Sequence, residues 1–392
     1  MDSDFCVRSP NSSQTLLSRA AICYKLCQVR ILQISSAKTF GGGERHFVDL
    51  CRELEARGHE VYVAIRPTNE WQDRLSFLPP ERFLFVSIRN SFGMFSAKRI
   101  GRFIEEKGID IVHAHVARDY LAASIAVRSL KKAKLILTRH VVFPLKPFYR
   151  FALRNVDAAI AVSPPVGVQL ERIFPASRVH IIPNGINIGL NGNKTEHGAQ
   201  FRDLHGIPID APLIGTIGEL KLLKGQRDLV LAANEVVKQF PACRFVIAGK
   251  DNSLDQRFRR ELKRLVKVLG MEDRFLWLDW LDDISPLLSA ADIFVSPSHS
   301  ESFGLAILDA MAAGTAVVAT ETDGAQLLIR QADALVPIKD PIKLAEKVCW
   351  FLEHESARAD LSEALRTRAR DEYGLSAMME STEALYRKIS AG

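Results

Sequence analysis

Short apolar runs that end at polar or glycine-rich turns recur along most of the chain. The first, VRILQIS, covers Val29–Ser35, and six further runs follow before residue 190. Apolar runs of this length bounded by turn residues are typical of strands buried in a parallel sheet. Between them lie segments with helical spacing of apolar residues, beginning with a helix predicted from about Glu44 to Ala56. Alternating strands and helices predict an α/β fold.

A second series with the same plan begins at LIGTIGEL and continues through RFVIAGK, RFLWLDW, ADIFVSP and AVVAT. The prediction is therefore two Rossmann-like, doubly wound parallel-sheet domains, residues 29–190 and 208–374. The segment between them is rich in Asn and Gly, which favours a linker at 191–207. Residues 1–28 are interpreted as a weakly ordered extension.

Composition is that of a soluble globular protein. The 392 residues are 47% apolar and 25% charged, which suffices for two ordinary domains. No apolar run approaches the roughly 20 residues of a membrane span. The six Cys are scattered without metal-ligand or disulfide spacing, so we expect no zinc site and a reducing cytoplasm.

Charge is distributed unevenly along the chain. Residues 1–190 carry 27 Lys and Arg against 16 Asp and Glu, a net +11, whereas the remainder carries 25 against 30, a net −5. This asymmetry indicates that the first half meets an anionic surface or acceptor.

The stretch Ser296–Gly314 changes character in its middle. A buried strand ends at Pro297, and a helix begins after Gly304. The free N–H groups of that helix favour a diphosphate near Gly304 and Leu305. Glu301 and Asp309 are about 12 Å apart along a helix axis, which suits the two ends of a nucleotide-sugar. The alternative is a solvated Asp309 and a Glu301 that caps the helix.

This stretch resembles the donor-binding signature of the retaining GT-B glycosyltransferases of family 4. In that family a Pro-Ser is followed by a Glu, then by seven residues, then by a second Glu, and a Phe-Gly lies between the two Glu. In this chain Glu301 matches the first Glu, and Phe303 and Gly304 match the Phe-Gly. Asp309 stands at the position of the second Glu. The resemblance covers about residues 29–388. It implies that Glu301 holds the sugar and Asp309 the ribose, and that a C-terminal helix, about 375–392, crosses back onto the first domain.

Other positions match the same family. Gly41 and Gly42, with Glu44 behind them, match its first glycine-rich loop, and His115 matches its cleft histidine near the transferred sugar. Lys224, before Gly225, matches its diphosphate lysine. Trp280 and Leu281 fall where related enzymes hold the nucleobase edge. Without the resemblance, His115 would be interpreted as a structural residue and Lys224 as a surface residue. Trp280 would be interpreted as one member of a packed pair with Trp277.

Three positions depart from the family pattern. Glu219 stands where the family has an Arg, Asp309 where it has a Glu, and Leu327 where it usually has a Glu. The first departure removes a positive charge from the expected diphosphate site and leaves Lys224 with more of the electrostatic task.

The resemblance implies a sugar transfer from a nucleotide-sugar donor to a glycan or lipid-linked acceptor, with retention of configuration. Glu301, His115 and Lys224 are the candidate catalytic residues. The candidate donor-binding residues are Gly41, Gly42, Phe303, Gly304, Leu305, Asp309, Trp280 and Leu281. We expect no cofactor, no metal and no nucleic acid partner, since the only Asp-x-Asp is Asp2 to Asp4.

The segment between Tyr120 and Val156 contains no Asp or Glu. Its cations alternate with aromatic residues, which favours an anionic membrane surface on the cytoplasmic side. A solvated basic face is the alternative. The residues concerned are Arg128, Lys131, Lys132, Lys134, Arg139, Lys146, Arg150 and Arg154, with Phe143, Phe148, Tyr149 and Phe151.

Other functions remain open at this stage. The three departures are also compatible with a catalytically silent nucleotide-sugar-binding protein, and the acceptor could be small and soluble. The sequence disfavours a Rossmann oxidoreductase, because GGGER lacks the Gly-x-Gly-x-x-Gly spacing of dinucleotide-binding loops.

Overall fold

Two parallel sheets form the frame of the molecule. The computed structural model describes residues 28–88, 93–130, 132–188 and 194–391. The first sheet has strand order β3-β2-β1-β4-β5-β6-β7 and the second β10-β9-β8-β11-β12-β13, which confirms the predicted fold class. The strands are β1 (Arg30–Ser35), β2 (Glu60–Ile65), β3 (Phe83–Phe85), β4 (Ile111–Ala114), β5 (Lys134–Arg139), β6 (Ala158–Ala161), β7 (Val179–Ile181), β8 (Leu213–Ile217), β9 (Arg244–Ala248), β10 (Phe275–Leu278), β11 (Ile293–Ser296), β12 (Ala316–Thr320) and β13 (Leu335–Val336).

Helices cover the faces of these sheets, because strands buried on both faces need an apolar layer on each side. In the first domain they are α1 (Gly42–Ala56), α2 (Met94–Lys107), α3 (Ala117–Val127), α4 (Tyr149–Ala152) and α5 (Pro164–Glu171). The remaining helices are α6 (Lys194–Leu204), α7 (Gln226–Gln239), α8 (Arg257–Val268), α9 (Ser285–Ala290), α10 (Leu305–Ala312), α11 (Asp323–Ile329), α12 (Pro341–Glu353), α13 (Glu355–Glu372) and α14 (Leu375–Ser390). Within the described ranges, no helix combines the length and apolarity that crossing a membrane requires.

Most of the predicted linker is helix α6. Phe201 packs in one apolar cluster with Leu213 and Ala290, and Arg202 donates hydrogen bonds to the Ala290 carbonyl and to Asp292. The Asn- and Gly-rich composition predicted a linker, but residues 194–204 form a helix that packs on the second domain through these contacts. The predicted extension, apart from residue 28, and residues 189–193 lie outside the described residues.

Helix α14 packs on the first domain although it follows the second in sequence. Met379, Leu385 and Tyr386 are buried in the same cluster as Ile31 and Phe47. The chain passes between the domains where Ile186 and Gly374 form a parallel bridge. The last helix is thus a structural part of the first domain.

Both sheets have a point where the strand order reverses, between β1 and β4 and between β8 and β11. In open α/β sheets a crevice opens beside the carboxyl ends of the strands at this point, and ligands bind there. The predicted site segments follow these four strands: the glycines after β1, His115 after β4, Lys224 after β8 and Glu301 after β11.

Gly225 lets the turn before α7 pack against the end of β11. Its φ is +66°, and an added Cβ would lie 1.8 Å from the carbonyl oxygen of Pro297. Gly58 also has a positive φ, +89°, but no atom lies within 4 Å of an added Cβ. A substitution at Gly58 therefore causes backbone strain without a steric collision.

We expect Gly225→Ala to destabilise the protein more than Gly58→Ala. The Gly58 change costs about 1–2 kcal/mol for left-handed backbone, and the Gly225 change adds the collision with Pro297. Urea unfolding of both variants measures the difference. Equal losses in the two variants would show that the turn does not depend on this close approach.

Candidate active site

Lys224 and Glu301 meet at the carboxyl edge of the second sheet. The Lys224 Nζ lies 2.5 Å from the Glu301 Oε2, with the two side chains 26% and 19% exposed. A backbone hydrogen bond fixes the Glu301 loop: the N–H of Gly324 donates to the Glu301 carbonyl at 2.8 Å. An ammonium and a carboxylate are therefore presented together beside the first turn of α10.

Glu219, which replaces the family arginine, has local partners for its charge. Its carboxylate accepts hydrogen bonds from the Lys221 Nζ at 2.5 Å and from the Asn252 Nδ2 at 3.1 Å. Burial opposes ionisation, but these hydrogen bonds hold the pKa of Glu219 below its usual value. Lys221 thus offsets the negative charge that this position introduces.

The aromatic side chain at the start of α10 is buried. Gly304 has φ +99°, while the Phe303 side chain is buried and its ring centroid lies 5.8 Å from that of Tyr373. Phe303 therefore stabilises the loop from inside. Only its backbone remains for the donor contact predicted at this position.

The first glycine-rich loop lies opposite this helix start. A Cβ added at Gly42 would lie 3.3 Å from the Leu305 Cδ1. Glu44 lies in the first turn of α1, directly after these glycines, and burial raises the pKa of its carboxyl to about 7 despite opposing hydrogen bonds from backbone N–H groups. The predicted donor residues Gly42 and Leu305 thus lie next to each other across the two domains, with Gly41 and Gly304 adjacent to them in the chain.

Asp309 pairs with Arg45 of the first domain. The two Arg45 Nη atoms lie 2.5 and 3.0 Å from the Asp309 carboxylate oxygens, and the Asp309 side chain is only 10% exposed. Bidentate pairs of this kind are geometrically specific. Arg45 was not predicted as a site residue, although it follows Glu44 directly after the three glycines.

Trp280 also contacts the opposite domain. Its ring meets Phe40 edge-on at 5.1 Å, and its Nε1–H donates to Asp282 at 3.1 Å. Trp277 packs instead beside Phe275, so the two tryptophans do not form a packed pair with each other. Leu281 lies against the small apolar cluster around Leu213.

His115 is held by a chain of buried hydrogen bonds that runs to α14. Gln33 accepts from the His115 Nε2 at 2.8 Å and donates to the Tyr386 hydroxyl at 3.4 Å. Tyr386 donates to the His113 Nδ1 at 2.7 Å, and the His113 Nε2 donates to Thr138 at 2.6 Å. In this assignment the His115 proton is on Nε2, so the His115 Nδ1 carries a lone pair that faces the His140 Nε2.

Two further histidines lie beside His115. The His140 Nε2 is 3.4 Å from the His115 Nδ1, and His46 contacts both rings. Burial lowers the pKa of His46 to about 4 and holds the pKa of His115 and His140 well below the usual range. All three imidazoles are therefore neutral near pH 7.

Comparison with known proteins supports this fold. The chain matches the family Glycosyltransferase Family 4 over residues 40–190 and the family Glycosyl transferases group 1 over residues 199–368.

Among curated proteins, it is 28% identical to the lipopolysaccharide core biosynthesis glycosyltransferase LpsE of Rhizobium meliloti, covering 82% of this chain and 89% of that one. It is 22% identical to the N-acetyl-alpha-D-glucosaminyl L-malate synthase of Bacillus anthracis, covering 91% and 96%.

Solved structures have the same fold. Anabaena Alr3699/HepE, in complex with UDP and glucose, superposes with a TM-score of 0.81 at 20% identity, covering 91% of this chain and 99% of that one. A glycosyltransferase from Rickettsia africae superposes with a TM-score of 0.80 at 22% identity, covering 92% and 98%. The two family matches together span 321 of the 392 residues, and the two parallel sheets form the same fold as these solved structures. The chain therefore belongs to the GT-B glycosyltransferases of the family 4 type.

Proposed function

We propose that this glycosyltransferase moves a sugar from a nucleoside diphosphate donor to a glycan or lipid-linked acceptor at a membrane surface, with retention of configuration. The observation that carries the proposal is the Lys224–Glu301 pair beside the start of α10, directly opposite Gly42. This arrangement combines a cation, free helix N–H groups and a carboxylate in one cleft.

The difficult step is departure of the nucleoside diphosphate. Lys224 and the first N–H groups of α10 would stabilise the developing charge, and Gly41 and Gly42 would let the phosphates approach without steric hindrance. These groups supply the charge stabilisation without assigning any role to a metal. UDP is the first nucleotide to test, because the solved HepE complexes contain UDP or UDP-glucose.

Glu301 would position the sugar, since its carboxylate accepts hydrogen bonds from hydroxyl groups and is already oriented by Lys224. His115 would receive a sugar hydroxyl at its Nδ1, the nitrogen left free by Gln33. With retention, the acceptor attacks from the face that the diphosphate leaves, and the departing phosphate takes the acceptor proton. Glu301 therefore has no need to act as a base.

The acceptor side of the proposal depends on the loop after β5. Phe143, Phe148 and Phe151 are 52%, 45% and 80% exposed there. Lys146 and Arg150 are exposed among them, and no acidic residue interrupts the loop. Aromatic rings with adjacent cations favour the headgroup region of an anionic leaflet.

The basic segment predicted from sequence is divided by the fold. Arg139 is buried and donates to the Phe143 carbonyl, so it is not part of the exposed surface. Arg128, Lys132 and Lys134 precede the start of β5 or lie at it, at the opposite edge of the sheet from Lys146 and Arg150. Lys131 lies outside the described residues. The membrane proposal therefore applies to residues 141–151 rather than to the whole segment.

We expect Lys224→Ala to lower kcat/KM by at least about tenfold, because a charged hydrogen bond contributes about 1.5–3 kcal/mol. Lys224→Arg keeps the charge and is the matched control. Calorimetry with UDP, GDP and ADP should show weaker binding to the Ala variant of whichever nucleotide binds the unmodified protein. Unchanged turnover of the Ala variant would contradict the diphosphate role.

Glu301→Gln should depress kcat sharply while free nucleoside diphosphate binds almost as before, because the carboxylate meets the sugar. Asp309→Asn should mainly weaken nucleotide binding. Arg45→Gln is the control, since it breaks the ion pair and leaves the Asp309 carboxylate in place. If Arg45→Gln reproduces the Asp309→Asn defect, the ion pair rather than a ribose contact is responsible.

Co-sedimentation with vesicles tests the acceptor surface. Binding should rise with anionic lipid, fall with salt, and be lost in Lys146→Glu with Arg150→Glu, because each cation contributes about 1 kcal/mol near an anionic leaflet. Arg128→Glu with Lys132→Glu makes the same net charge change at the opposite edge and should retain binding. Vesicle binding that changes with neither lipid charge nor salt would favour a soluble acceptor. An equal loss of vesicle binding in the two double variants would do the same.

A further inference from the structure

His46, His115 and His140 bring three imidazoles together from separate elements. His46 lies in the first turn of α1, His115 just after β4 and His140 just after β5. One ligand nitrogen from each lies within 4.8 Å of the other two. Strands β4 and β5 are neighbours in the sheet, so the last two side chains emerge side by side.

The hydrogen bonds around His115 direct its lone pair toward this cluster. The amide oxygen of Gln33 can only accept, so it holds the His115 proton on Nε2. The Gln33 amide nitrogen is itself committed to Tyr386. A second group that fixes the tautomer of an imidazole is the usual support of a metal-binding histidine.

The distance between the first two nitrogens also suits a metal ion. The His115 Nδ1 and His140 Nε2 are 3.4 Å apart. Two nitrogens at about 2.0–2.1 Å from a tetrahedral zinc ion are separated by about 3.3–3.4 Å. A ligand nitrogen of His46 lies within 4.8 Å of both, so His46 is the third imidazole of the set.

We propose that His46, His115 and His140 bind a divalent transition-metal ion of the zinc class at the cleft. The cluster contains imidazole ligands and no carboxylate, which favours zinc, cobalt, nickel or copper over magnesium or calcium. Three protein ligands leave a fourth position for water.

The site has a consequence for turnover that rests on the proposed function. The ion occupies the His115 Nδ1, the nitrogen that the donor sugar would contact. Micromolar zinc should therefore inhibit transfer by competing with the donor, and chelation should restore the rate.

Metal binding is tested apart from transfer, on the full chain stripped of metal. Competition with a chromophoric chelator should show one Zn²⁺ per chain, and Co²⁺ should give the intense visible absorption of a four-coordinate site. His46→Gln and His140→Gln should each weaken Zn²⁺ binding at least tenfold, whereas His180→Gln, on β7, should leave it unchanged.

Thermal melting establishes that each variant is folded. No Zn²⁺ uptake by the unmodified chain, or equal affinity in the folded His46→Gln and His140→Gln variants, would overturn the proposal. Co²⁺ absorption without detectable sugar transfer would support the metal site and count against the proposed donor chemistry, so the two failures are distinguishable.

Discussion

The close approach of the loop at Gly41–Gly43 to the first turn of α10 is the constraint on which the cleft depends. A Cβ added at Gly42 would lie 3.3 Å from the Leu305 Cδ1, which is a tight contact, and Arg45 spans the gap to Asp309 with two hydrogen bonds. Because the Asp309 side chain is only 10% exposed, removal of Arg45 leaves a carboxylate with little access to water. This contact presents the carboxyl edges of the two sheets to each other, and the remaining site groups lie around it.

The charges of the cleft are arranged in pairs. Lys224 is bound to Glu301, Lys221 to Glu219 and Arg45 to Asp309, so these three cations already have carboxylate partners. A bound donor must therefore replace or share these partners. This exchange of partners helps catalysis only when the new contacts are stronger in the transition state, as the diphosphate leaves, than with the bound donor. The free N–H groups of α10 can strengthen their contacts in this way, together with Lys224.

Helix α14 connects the end of the chain to the chemistry. Its Tyr386 joins His113 and Gln33, and Gln33 in turn sets the proton position of His115. The helix packs on the first domain through Met379 and Leu385, so its return across the domain boundary supplies a buried polar partner as well as apolar surface. Buried hydrogen-bond networks of this type favour one arrangement of their members.

The sequence alone determined the α/β class, most strand positions and the segments at the two switch points, because burial patterns, glycines and strand ends are local properties. It indicated Glu301 and Lys224 as a donor site, but their pairing, and that of Arg45 with Asp309, joins positions far apart in the chain. The tertiary structure also decided that residues 194–204 are helix, that Phe303 is buried and that Arg139 is withdrawn from the basic surface. The physical reason is that side-chain partners depend on which strand ends the two folded sheets bring together, and no local pattern records that distance.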